Sequence, residues 1–327
     1  MSRPNYTDRI PTNLSPSRAK DFQQCPKLFY YKTILGLPTP PTEATARGTV
    51  AHHAFEHIFD HPKGERTPEV AISYIRPAWQ VMINPLVDRS SVAIGSPEYV
   101  IREKETSFRD LHEEGSESEA KLINSALDYI SLIPIGSDAE DAFIQSIEYA
   151  VKGWFFMENP NLFDPTFREK YVKAPLGKAP VHGYIDRVDE SIRNGQKRIW
   201  ISDYKTGKIP NEKYMDEAFF QLAIYALLIQ ATTGETPFKL RLIYVNQGKE
   251  LSQRAVLEKE VDFKLLNDTK LKINSTWNAI TKSVKTDTWA PKKQVLCGWC
   301  HFKNICPVFN PGLEELLPEE IEFRGNI

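Results

Sequence analysis

The sequence predicts an α/β protein, a mixed central sheet flanked by helices, and three observations carry that prediction. Residues 181–190, VHGYIDRVDE, alternate with the period of a strand, and 197–206, KRIWISDYKT, form a second such run. Between them Arg193-Asn194-Gly195-Gln196 is a hairpin-turn signal. A helix-length apolar segment, AFFQLAIYALLIQ, follows, and then another strand-like run, FKLRLIYVN. Helices, hairpin, helix and strand in that order call for helices packed on a mixed sheet.

The elements follow in turn. Ser15 and Ser17 are good helix N-caps, and Phe22, Leu28, Phe29 and Tyr30 give 18–34 helical spacing before Pro38, Pro40 and Pro41 end it. A second helix is expected from about Thr45 to His61, stopped by Pro62. From 63 to about 163 the pattern is mostly helical, with polar loops such as HEEGSESEA and no catalytic signature. After the hairpin come an amphipathic helix over 211–232, a strand near 253–258 and a lysine-bearing helix over 262–284. The expected organisation is 1–62, N-terminal helices; 63–169, a helical insertion; 170–260, the sheet and its helix; and 261–327, the basic helix with a cysteine-rich tail.

The bulk numbers exclude little and locate the protein. The chain has 327 residues, 41% apolar and 26% charged, with a net charge of -2, so nucleic-acid binding would need a local basic surface. No apolar run is long enough for a transmembrane helix, and the N-terminus lacks the apolar core of a secretory signal. A cytoplasmic location is expected, where thiols stay reduced, so the four cysteines need an explanation other than disulfides.

Chemistry gathers at the hairpin. Asp186 lies in its first strand and Asp203 near the end of the second, so both carboxylates can point at one site. Two such groups repel unless a divalent cation holds them. Lys205, two residues past Asp203, shares its strand face, and an ammonium there can orient a metal-activated water or stabilise charge on a phosphate. That combination suits phosphodiester hydrolysis.

These residues resemble a known family. Gly183-Tyr184-Ile185-Asp186-Arg187-Val188-Asp189, Asp203-Tyr204-Lys205-Thr206-Gly207-Lys208, Gln221-x-x-x-Tyr225 and the upstream Gly48-x-x-x-His52-x-x-x-Glu56 are similar, in order, to the motifs of the RecB-type PD-(D/E)XK nucleases. The resemblance implies a restriction-endonuclease-like core. It implies Mg²⁺ or Mn²⁺ held by His52, Asp186, Asp203 and the Tyr204 carbonyl, with Lys205 as the catalytic lysine. Gln221 and Tyr225, one helical turn apart, would position substrate or active-site groups. The register favours His52, with a slip to His53 left open. Glu56 would contact a second metal, orient His52 or form a surface salt bridge. His53, His57 and His61 share a helix face and leave open a separate zinc site.

The cysteines read as one set. Cys297-x2-Cys300-x5-Cys306, with Cys25 from the other end, supplies four thiolates for zinc or an iron–sulfur cluster. The spacing resembles the AddB-type and CRISPR-associated, Cas-four-like exonucleases, which implies a [4Fe–4S] cluster stapling the first helix to the tail. For substrate contact, Arg187 and Lys208 beside the site are the expected phosphate ligands. The stretch 264–293 carries seven lysines against two aspartates, interleaved with Trp277 and Trp289. It reads either as a stripe that tracks a single strand, with the aromatics stacking on bases, or as a solvated helix face. No G-x-x-x-x-G-K-[ST] motor motif is present. The expectation is a metal-dependent DNA exonuclease favouring single-stranded ends. The alternative is a non-catalytic or partner-dependent DNA-binding subunit of a recombination, repair or adaptation complex, working with a helicase or similar protein.

Overall fold

The structure, a computed structural model, describes residues 11–83, 128–247 and 255–311. The HEEGSESEA loop and the start of the strand expected at 253 lie outside those residues. The helices are α1 (Pro16–Gln24), α2 (Pro26–Phe29), α3 (Glu43–His57), α4 (Pro68–Ser73), α5 (Ile75–Ile83), α6 (Asp138–Phe155), α7 (Met215–Thr233) and α8 (Phe263–Thr286). The strands are β1 (Phe167–Leu176), β2 (Ala179–Arg193), β3 (Gln196–Lys205), β4 (Lys239–Tyr244) and β5 (Val256–Glu260).

The five strands form one sheet in sequence order, antiparallel throughout except that β3 and β4 run parallel, joined by the α7 crossover. The predicted hairpin is present: Arg193 pairs with Gln196, and Asn194 and Gly195 take φ 54 and 74, the two positive values a type I′ turn needs. A strand that the sequence reading did not foresee, β1, pairs along β2 through a second tight turn at Gly177-Lys178, where Gly177 has φ 71.

Two apolar clusters sandwich the sheet. One packs α7, α8 and α1 against residues such as Val172, Ile185, Ile201 and Leu242. The other joins α3, α4, α5 and α6 to Tyr204 on β3, Ile243 on β4 and Val245 just past it. The helices expected to form an insertion thus share one core with α3 and the sheet. Helix α7 is not amphipathic as expected. Phe219, Phe220 and every residue from Leu222 to Ile229 are buried, because sheet, α1 and α8 enclose it, and a helix apolar all round is the sequence form of that position.

The expected 18–34 helix is broken. Pro26 has no N–H and pushes the residue before it out of the helical region, so Cys25 is extended at φ -161, ψ 116 between α1 and α2. Helix α3 is capped by Thr42, whose side chain accepts from Thr45 N, and it passes at Ile58 into a short 3₁₀ turn. Among the described residues, no helix is long and apolar enough to cross a membrane.

Candidate active site

Strand β2 pairs with β3 as far as Arg187 and Ser202, and one step further along that register brings Asp186 opposite Asp203. Asp203 is buried, Asp186 is half-buried at the wall of a cavity, and the two carboxylates interact. Burial first, and repulsion from Asp203 second, hold the Asp186 carboxyl well above the usual carboxylate range. The Tyr204 N–H donates to Asp186 Oδ2 at 2.9 Å. Lys205 Nζ lies 2.6 Å from Asp203 Oδ2. Burial works against the ammonium, but Asp203 and Asp186 outweigh it and raise its pKa, so Lys205 is charged at neutral pH.

His52 reaches the pair from α3. Its Nδ1 lies 3.4 Å from Asp186 Oδ2, and its Nε2 donates to the Tyr204 carbonyl at 2.9 Å, since a carbonyl can only accept. His53, one position on, turns instead toward His57 and Tyr74, so it is His52 that stands beside Asp186. His52, Asp186 and Glu169 offer ligand atoms mutually within 4.8 Å, a set able to hold a metal ion. Glu169 was not foreseen. It falls between the β1–β2 pairs Arg168–Arg187 and Lys170–Ile185, across from Asp186, and has a positive φ of 44, rare for a residue with a side chain.

On the other side, α7 supplies Gln221 and Tyr225, and Gln221 Nε2 donates to the Tyr225 hydroxyl at 3.1 Å. Burial, then the nearby carboxylates Asp186 and Asp203, raise the phenol's pKa, which puts its ring beside the site. A Cβ on Gly183 would lie 2.5 Å from Tyr225 Cε1, so the glycine of β2 is what lets that ring lie against the strand. Tyr244, paired with Lys205 across β3 and β4, also feels Lys205 and Asp203 and was likewise not foreseen.

Two expected contacts are not where a substrate could meet them. Arg187, expected to bind phosphate, is 1% exposed and faces the opposite way from Asp186. Its guanidinium makes a bidentate pair with Glu158 (2.8 and 2.8 Å) and also binds Asp189 (3.0 Å) and the Tyr204 hydroxyl (2.6 Å). Trp289, one of the two aromatics read as stacking on bases, is buried against Phe29 and Tyr30 with ring centroids 6.1 and 5.3 Å apart. Trp277 is partly buried against the core. Lys208 is exposed on the loop after β3.

The chain ends meet at the cysteines. Cys25, Cys297, Cys300 and Cys306 line one pocket. Lys292 N donates to Cys25 Sγ at 3.3 Å and Gln294 N to Cys297 Sγ at 3.4 Å. Burial, and then the other three sulfurs, raise the Cys300 thiol. The Tyr31 hydroxyl donates to the Ile305 carbonyl and Gln294 Nε2 to that of Gln24, both at 2.8 Å. No three of the sulfurs lie mutually within 4.8 Å.

Residues 13–307 match the model of the PD-(D/E)XK nuclease superfamily. No curated protein matches the chain. Among solved structures, a protein of Eubacterium rectale described as a candidate exonuclease aligns over 94% of each chain at 12% identity with a TM-score of 0.43. That similarity is too low to bear on activity.

Proposed function

Starting from the chain's membership of the PD-(D/E)XK nuclease superfamily, we propose that it is a metal-dependent DNA exonuclease acting preferentially on single-stranded ends. The observation that carries this reading is the convergence of His52, Glu169 and Asp186, with Asp203 and Lys205 on the adjoining strand. The donor set fits a divalent ion: two neighbouring acids that repel each other, one buried and one half-buried, and an imidazole nitrogen turned toward one of them. Mg²⁺ or Mn²⁺, when bound to His52, Asp186 and Asp203 with Glu169 and the Tyr204 carbonyl at hand, supplies a polarised water and positive charge for the scissile phosphate.

The chain's own groups do the rest. Lys205 stays protonated, so it acts as a donor that positions the attacking water and stabilises charge on phosphate oxygens rather than as a base. Asp203 holds that ammonium in place. Tyr225, fixed by Gln221 and seated on Gly183, walls the site from the α7 side, and exposed Lys208 contacts the incoming phosphate backbone.

The four cysteines are read as ligands of a [4Fe–4S] cluster. A single zinc ion, with Zn–S of about 2.3 Å, draws four sulfurs to within about 3.8 Å of one another. What supports the larger group over zinc is the likeness of the cysteine spacing to the iron–sulfur exonucleases, together with the four thiols lining one pocket. The cluster's chemistry here is structural, tying α1–α2 to the tail. Anaerobically purified protein is expected to be brown with absorbance near ~400 nm, lost in Cys25→Ser; a colourless protein carrying zinc contradicts it.

The exonuclease form rests on the likeness of the cysteine spacing to the iron–sulfur exonucleases. The test is degradation of end-labelled single- and double-stranded DNA with Mg²⁺ or Mn²⁺, beside circular single-stranded DNA. Loss of the linear strands with the circle intact is expected. Cutting of the circle removes the exonuclease reading, and faster loss of duplex removes the single-strand preference.

A further inference from the structure

Helix α3 carries a second set of donors, one position round from His52. His53, Glu56 and His57 present ligand atoms mutually within 4.8 Å, and Glu56 Oε2 is 3.7 Å from His57 Nε2. The spacing is the cause: residues three and four apart share a helix face, so His53 and His57 stand one turn apart with Glu56 beside both.

An independent observation concerns the protons. His57 Nδ1 lies 2.7 Å from Asp60 Oδ2. A carboxylate only accepts, so Nδ1 carries the hydrogen and the lone pair of the neutral ring is left on Nε2. That nitrogen has no hydrogen-bond partner although the residue is 4% exposed. A buried polar atom in that condition is destabilising, and a cation would offset the cost. Carboxylate, imidazole and metal in line is how proteins orient a ligating histidine. Asp60 is itself held by Arg168 Nη1 at 2.7 Å. The two imidazoles pack at 4.2 Å between centroids, and both lie against Tyr74. His61 is outside the set, since its Nε2 pairs with the Tyr74 hydroxyl at 3.0 Å.

The set is also reachable. His53 and Glu56 line a cavity of about 440 Å³ whose other walls include His52, Glu169 and Asp186. We propose that His53, Glu56 and His57 form a second divalent-ion site, distinct from the nucleolytic one and entered through the same cavity. Two imidazoles and one carboxylate suit a borderline transition ion, zinc above all, and not Mg²⁺, which prefers oxygen.

The test counts zinc. Full-length protein, stripped of labile metal and held in excess Mg²⁺, is equilibrated with Zn²⁺, desalted and assayed for metal per chain. Wild type is expected to retain one zinc more than His53→Gln/His57→Gln. Asp203→Asn and Cys297→Ser should keep that extra ion. Equal retention by wild type and the double variant overturns the proposal, as does loss of the ion in Asp203→Asn. Should the double variant fail to fold, Asp60→Ala, which leaves all three ligands in place, is expected to weaken zinc binding about 10–100-fold. Unchanged affinity in Asp60→Ala overturns the proposal. No readout here depends on nuclease activity, so the proposal stands or falls separately from the function above.

Discussion

Replacing Arg187 by Met keeps the length of the side chain and removes the charge. Its guanidinium is 1% exposed, and Glu158, its bidentate partner, is 8% exposed. The substitution therefore leaves the Glu158 and Asp189 carboxylates facing each other in the interior, with Arg241, 2.7 Å from Glu158 Oε1, as the remaining nearby cation. Breaking a buried pair from one side costs about 3–5 kcal/mol. Arg241 retains part of Glu158's pairing, so about 3 kcal/mol is expected here. Equilibrium urea unfolding of wild type and Arg187→Met measures it. DNA affinity of the folded fraction, followed by fluorescence anisotropy in Ca²⁺ to suppress cleavage, should stay within about twofold of wild type, because the side chain points away from the Asp186 face. An unfolding free energy within about 0.5 kcal/mol of wild type, together with weakened DNA binding, would refute this reasoning and restore Arg187 as a phosphate ligand.

Other expectations concern neighbouring residues. Burial works against ionised Glu158, but the Arg187 charge beside it outweighs burial and holds its carboxyl at about 2, below the ordinary 4.5. A depressed folded pKa gives stability that is fully present above 4.5 and lost as pH falls through 2, on the order of 3 kcal/mol. Asp189 and Asp186 are shifted the other way by burial, so each gives stability that fades as pH rises past 3.8. The comparison of melting between pH 6 and 2.5 in wild type and Glu158→Gln cancels the Asp186 contribution. Glu158 also helps to raise Asp189, so the difference between the two curves is expected to fall somewhat below that figure. A steeper acid loss in wild type is expected, and parallel curves would count against the pairing. Gly183→Ala drives a methyl into the Tyr225 ring at 2.5 Å, so it should cost about 1–3 kcal/mol and lower turnover. Adding Tyr225→Ala should recover stability but not activity; if it recovers neither, Gly183 serves something other than that ring.

How much of this was legible depends on where each signal lies. The β2–β3 hairpin, with Asn194-Gly195 at its turn, announces itself because the turn chemistry and the alternation agree. Strand β1 does not, since FREKYVKAPL alternates in burial only in its second half, from Tyr171 on. Glu169 was lost with it. A lone glutamate carries no motif, and its place opposite Asp186 follows from the register that the Gly177-Lys178 turn imposes. Arg187 was misread because adjacency in sequence to Asp186 means the opposite face of a strand, and the buried partner waiting there, Glu158, comes from beyond α6. Trp289 was misread because its partners, Phe29 and Tyr30, come from the other end of the chain. His52 and the Gln221–Tyr225 pair were legible because short motifs place them on helices that the sheet then brings together.

The central claim is that Asp203 and Lys205 sit at a metal-dependent phosphodiesterase centre. Single-turnover cleavage of a 5′-labelled single strand, with saturating Mn²⁺, by wild type and by Lys205→Ala purified to equal folded content, tests it most directly. The account predicts metal-dependent cleavage by wild type, abolished by chelation, and a rate about 10²–10⁴-fold lower in Lys205→Ala with DNA affinity nearly unchanged. Equal rates in the two proteins would contradict it.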